Sequence, residues 1–186
     1  MDKEYIDVRF DIMSGGVSAI HKYHRFDQEK GPYGVKRGDY EIKVVDILRR
    51  KGYSIILETE RAAAGVKTPD GFINGLLMDI KAVESSGRWA IKDKFHAATK
   101  QGVESLILFF CQRDLYSLER ITDGWKKYLQ DESAQKYVQS IRQVLCVLEE
   151  EVVSIDIQKH EKPPNGDFSE GSKGTGGVPL PPSTQR

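Results

Sequence analysis

Cysteine is nearly missing from this 186-residue chain: Cys111 and Cys146 are the only two. Both sit among apolar neighbours, which favours buried thiols over a disulfide framework. No apolar run approaches the roughly 18 residues that a membrane-crossing helix needs, and no apolar leader of the signal type opens the chain. No membrane partner is expected, and the chain reads as soluble as given. Net charge is lacking as well. Lysine plus arginine and aspartate plus glutamate cancel at 28 each, so no whole-molecule field draws the chain to nucleic acid or to an anionic surface, and any such contact needs a local basic patch. No glycine-rich phosphate loop, Cys-x-x-Cys pair or Gly-x-Ser-x-Gly elbow occurs, which argues against nucleotide-dependent, zinc-structured and serine-hydrolase chemistry. No internal repeat is present.

An apolar fraction of 39% in a chain of this length predicts one core with appendages. Residues 1–38 hold few periodic apolar positions and read as a lead-in segment. From Tyr40 the apolar residues Val44, Ile47 and Leu48 recur at helical spacing up to Gly52, a C-terminal stop. A strand is expected from Tyr53 to Glu60, two more around residues 70–81, a helix from Trp89 to Gly102, and a strand buried on both faces at Leu106–Cys111. Two amphipathic helices, 115–129 and 133–151, and a short run at 152–157 that could add a strand complete a domain expected to span 39–158. Residues 159–186 are rich in Pro, Gly and Ser and read as a flexible tail.

The most informative segment is Asp70-Gly-Phe-Ile-Asn-Gly-Leu-Leu-Met-Asp-Ile-Lys81. An Asn-Gly pair between apolar runs predicts a two-residue hairpin turn. With Asn74 and Gly75 as the loop, Ile73 faces Leu76, Phe72 faces Leu77, Gly71 faces Met78, and Asp70 falls opposite Asp79. Carboxylates so placed have Cβ atoms about 5 Å apart and repel. Strand alternation puts Lys81 on the face of Asp79. A divalent cation, Mg²⁺ or Mn²⁺, held by Asp70 and Asp79 would offset the repulsion and lower the pKa of a bound water, with Lys81 orienting that water or stabilising a phosphorane. The other reading makes Lys81 a cross-strand counter-ion on a solvated hairpin.

In that order of elements, Pro69-Asp70 followed by Asp79-Ile80-Lys81 resembles the PD-(D/E)XK nuclease superfamily, over about Tyr40 to Cys111. The resemblance implies an α/β fold with a restriction-endonuclease-like αβββαβ core, here with additional C-terminal helices, and Asp70, Asp79 and Lys81 as the catalytic set. It also implies a further acid from the first helix or first strand, for which Glu41, Glu58 and Glu60 are the candidates. More narrowly, Ser14-Gly-Gly-Val-Ser-Ala-Ile-His-Lys-Tyr-His24, Tyr40-Glu41, Ile55-Ile-Leu-Glu-Thr-Glu60 and Thr68-Pro-Asp-Gly-Phe-Ile-Asn-Gly75 look like the C-terminal toxin domains of contact-dependent growth-inhibition (CdiA-type) proteins. That resemblance implies a nuclease cleaving tRNA or other RNA in the cytoplasm of a competing bacterium, delivered as part of a larger secreted protein and neutralised in the producer by a cognate immunity protein. In part of that group the functional lysine comes from the helix after the hairpin, so Lys92, Lys94 and Lys100 compete with Lys81. The alternatives are a DNA endonuclease of a phage or mobile element and a non-catalytic binding module on the same fold.

The remaining candidates are less directed. Lys92, Lys94 and Lys100, with Arg88, make a locally basic stretch suited to phosphate contact, or a solvated helix face. His21 and His24, three residues apart beside Lys22, Tyr23 and Arg25, allow a metal pair, phosphate contact with base stacking, or no function. His96 could carry protons or merely lie on a helix surface.

Overall fold

The structure, a computed structural model, describes residues 4–59, 68–131 and 140–157. Glu60, residues 133–139 of the helix expected over 133–151, and the 159–186 tail lie outside the described residues. Among the described residues, eight strands form one mixed sheet whose spatial order is the chain order. They are β1 (Tyr5–Phe10), β2 (Val17–His21), β3 (Ser54–Leu57), β4 (Gly71–Ile73), β5 (Leu76–Val83), β6 (Ser105–Phe110), β7 (Gln143–Leu148) and β8 (Glu151–Asp156). Three helices accompany them: α1 (Arg37–Arg50), α2 (Ala90–Lys100) and α3 (Leu118–Leu129). β2 and β3 pair in parallel across α1, β5 and β6 across α2, and β6 and β7 across α3; the remaining neighbours are antiparallel.

The fold is mixed α/β, and from α1 to β6 its order is helix, three strands, helix, strand, as expected for residues 40–111. The sheet is larger than that core. Two expectations are overturned. Residues 5–10 and 17–21 are not a loose lead-in but strands β1 and β2, because Tyr5-Ile-Asp-Val-Arg-Phe10 carries the period-two alternation of a sheet edge and Ser18, Ile20 and His21 are buried. The helix expected over 133–151 is replaced, within the described residues, by β7 and the start of β8. Ile141 and Leu145 satisfy a helical spacing, but the unbroken apolar run Val144–Leu148 is buried on both faces of the sheet, where a strand presents alternate residues to two layers. The turn after it, Glu149-Glu150, carries no glycine or asparagine although Glu149 adopts φ +49°, so no turn signature marks it.

Alternation along β6 divides the core. Leu106, Leu108 and Phe110 pack with α2 and α3, while Ile107 and Phe109 pack with α1. The same alternation decides what the hairpin presents. Met78 and Ile80 join the α1 layer, so Asp79 and Lys81 project from the opposite face, the one that carries α2. At the β1 end that opposite face holds the apolar row Val8, Ala19, Ile56, Phe72 and Leu77, each directly beside the next across five strands. Among the described residues no helix is long and apolar enough to cross a membrane.

Candidate functional site

The hairpin forms with the register that Asn74-Gly75 dictates: Ile73 pairs Leu76, Phe72 pairs Leu77 and Gly71 pairs Met78. Asn74 and Gly75 take φ +48° and +82°, the left-handed pair of a type I′ turn. Asn74 also locks β3, donating its N–H to the Ser54 carbonyl at 2.8 Å and accepting the Ser54 N–H on its side chain at 2.9 Å.

One residue further the regular ladder ends, and a simple face-to-face placement of Asp70 and Asp79 is corrected. Gly71 sits at φ +156°, where a Cβ would lie 1.9 Å from the Ile56 carbonyl oxygen. Asp70 therefore donates its N–H to Met78 at 3.1 Å, its carbonyl accepts from the Glu58 N–H at 2.9 Å, and its carboxylate Oδ2 accepts the Ile80 N–H at 2.6 Å. The side-chain oxygen takes the position of a strand carbonyl, one residue beyond Asp79 on β5.

The two acids stay electrostatically joined. Asp79 is completely buried and Asp70 is 9% exposed. Burial, then the charge of Asp79, drives the Asp70 carboxyl well above the usual carboxylate range; Lys81 and the Ile80 N–H act against this. Lys81 Nζ lies 2.8 Å from Asp79 Oδ1, to which it donates, and 2.6 Å from Oδ2. The Oδ2 contact is a close ion pair without hydrogen-bond geometry, and that buried oxygen has no hydrogen-bond donor. With both carboxyls ionised the single ammonium would leave one negative charge over, which is why Asp70 is pushed toward its neutral form and why a bound cation would favour the doubly ionised pair.

Lys94 comes to this charge from α2. Its amine makes no hydrogen bond or ion pair among the described residues, and burial holds its pKa below the ordinary lysine value; the Lys81 and Arg37 charges push the same way, and Glu84 opposes them. Glu84, just past β5, is held by Arg37 at 3.1 Å. Helical rotation separates the other α2 lysines from it. Lys92 pairs with Asp131 at 2.7 Å and Lys100 is exposed in the last turn. Lys94 is thus the α2 lysine that the fold associates with the hairpin.

The acids and histidines form a supporting layer. Glu41 of α1 lies 3.3 Å from His24 Nε2, and its charge reaches Asp70. His24 Nδ1 is 2.7 Å from the Glu58 carbonyl; Nδ1 must carry the proton there, so Nε2 donates to Glu41 when the ring is cationic. The His24 side chain is wholly covered. His21 accepts the Tyr23 N–H on Nδ1 at 3.1 Å and packs edge-on to Tyr5. Both rings are built into the interior, which does not suit them to direct phosphate contact. The Glu58 carboxylate accepts from the Tyr5 hydroxyl at 2.5 Å, which with burial raises that hydroxyl to about 12. His96 faces Tyr128 of α3, away from the hairpin. Tyr5, Arg37 and Glu84 are the participants that sequence reasoning missed; Tyr5 was signalled by the alternation of β1, whereas nothing local marks the Arg37 and Glu84 pair.

Among the described residues no group of three or more His, Cys, Asp or Glu side chains converges as a metal site. Mg²⁺ is commonly held by one or two carboxylates, with water and substrate phosphate completing its shell. Asp70 and Asp79, with the undonated Asp79 Oδ2, fit that partial set. Comparison with known proteins found no matching family model, no similar curated protein and no similar solved structure.

Proposed function

We propose that the protein is a metal-dependent endonuclease that hydrolyses phosphodiester bonds with Mg²⁺ or Mn²⁺. The carrying observation is the pair of buried carboxyls, Asp70 and Asp79, beside the single ammonium of Lys81: burial first, and then the charge of Asp79, drives Asp70 strongly toward its protonated form. Asp70 and Asp79 would hold the ion, which supplies a Lewis acid and lowers the pKa of water. The chain's own groups do the rest. The Gly71 kink and the Ile80 N–H fix the Asp70 carboxylate; Lys81 holds Asp79; and Lys94, short of its usual proton affinity, is placed to orient water or to stabilise charge developing on phosphate. The preference for RNA, tRNA in particular, the delivery into a competing cell and the immunity partner rest on the resemblance to contact-dependent growth-inhibition toxins. A second reading, a binding module with structural acids, draws on the Lys81–Asp79 ion pair, which gives each group a partner of opposite charge without any substrate.

Incubation of the protein with total tRNA and with plasmid, each with Mg²⁺ and with EDTA, tests this. Mg²⁺-dependent cleavage is expected, and Asp79→Asn should lower it by on the order of 10²–10³-fold. Mg²⁺ at about 100 times its Kd should also stabilise the wild type by roughly 2.7 kcal/mol and leave Asp79→Asn unmoved. Absence of both cleavage and metal stabilisation would select the binding module.

A further inference from the structure

Trp89 precedes α2 and is 48% exposed, an unusual position for the largest apolar side chain. Its indole is surrounded by cations from two helices and the preceding loop. The Arg88 guanidinium lies 5.0 Å from the ring centroid, Lys127 Nζ 5.3 Å and Lys92 Nζ 5.4 Å. Each distance is within the range in which the ring's quadrupole attracts a cation. Arg120 joins the same corner by donating to the Ser85 carbonyl at 3.3 Å. In a chain whose charges cancel overall, this is a local concentration of positive charge around an accessible aromatic face.

The cluster is not closed by its own acids. Lys92 pairs with Asp131 and Lys127 with Asp123, so a phosphate approaching either ammonium competes with one carboxylate, of which Asp123 is the more exposed. Arg88 has no ion pair among the described residues. Cations packed around an exposed ring are the combination that holds single strands: phosphates take the charges and a base takes the π-face. Trp89 stands five residues before Lys94, about 7.5 Å of axial rise and about 140° of rotation on a helix, so the surface is separate from the hairpin acids.

We propose that Arg88, Trp89, Lys92 and Lys127 form an anchoring surface for an unpaired nucleic-acid segment, with Trp89 stacking on a base. The assignment of the neighbouring site as nucleolytic is its premise, but anchoring itself needs no metal and no cleavage.

The test uses the full chain carrying Asp79→Asn and Trp125→Phe, in EDTA, so that Trp89 is the sole tryptophan and nothing is cut. An unstructured 12-nucleotide oligoribonucleotide should quench its emission, bind at least tenfold more tightly than the same sequence in a duplex, and lose affinity steeply with salt. Arg88→Ala and Lys127→Ala should each weaken binding about three- to tenfold and flatten the salt slope. Trp89→Leu, followed by fluorescence anisotropy of a labelled oligonucleotide, should lose at least fivefold with the fold intact by circular dichroism. Binding without quenching, equal affinity for duplex, or equal quenching by vesicles of anionic lipid would overturn the proposal. Because binding is read without catalysis, an intact anchor together with a wild-type chain that cleaves nothing in Mg²⁺ would refute the nuclease and spare the anchor, and wild-type cleavage without Trp89 quenching in the test chain would do the reverse.

Discussion

At Asp70 a single carboxyl group carries two jobs that conflict. Its Oδ2 completes the hydrogen bonding of β5 through the Ile80 N–H, yet burial and Asp79 disfavour its charge. A carboxyl whose folded pKa is raised stabilises the fold at low pH, and that contribution is lost as pH rises through the folded value. Asp70→Asn keeps an oxygen acceptor for Ile80 and removes the charge. It should therefore raise the Tm by a few degrees at pH 8, with the gain shrinking as pH falls toward 4; melts across that range in EDTA check it, and a gain independent of pH would show that the charge is not the cause. The same variant should abolish Mg²⁺-dependent cleavage, so activity and stability move oppositely. Among the lysines, Lys94→Met should lower cleavage by on the order of 10²-fold while Lys100→Met stays within about twofold, because Lys94 is half-buried and its amine feels the Lys81 charge, whereas Lys100 is exposed in the last turn of α2; equal effects would return the choice to Lys81.

At the level of elements, what could be read in advance depended on whether a local chemical signal existed. Asn74-Gly75 announces its turn because two successive residues must take positive φ, and the whole β4–β5 register follows. The Gly71 kink beside it could not be read, since it arises from the close approach of the Ile56 carbonyl on another strand. β7 was illegible for a different reason: a short apolar run fits a buried helix or a buried strand equally well, and neighbouring strands decide. Helix contacts are likewise non-local. Gly124 of α3 leaves no room against α2, a Cβ there falling 2.5 Å from Ile91 Cγ2. Gly124→Ala should cost about 1–3 kcal/mol by overpacking, and Ile91→Leu in the same chain, which removes the Cγ2 methyl from the contact at similar volume, should recover part of it. Urea unfolding of the single and double variants measures both, and additive losses would show that the two residues do not meet.

For the molecule as a whole, β1 and β2 change the definition of the functional unit. Tyr5 and His24, both before residue 38, reach Glu58 and Glu41, and β2 covers the edge that β3 would otherwise expose. Removing residues 1–36 should leave a chain that neither folds cooperatively nor stays in solution, as judged by far-UV circular dichroism and size exclusion. A soluble, folded remainder would restore the lead-in reading. Helices and strands from 40 to 111 were legible because each carried its own periodicity; the flanking strands were less so, because their burial depends on one another.

Strand order in the sheet repeats strand order in the chain, from β1 to β8. Among the described residues no strand is threaded between two that lie elsewhere in sequence, so each edge strand of the sheet is held by a single neighbour. Pulling from the first residue should therefore strip β1 before β2, and pulling from the last should strip β8 before β7.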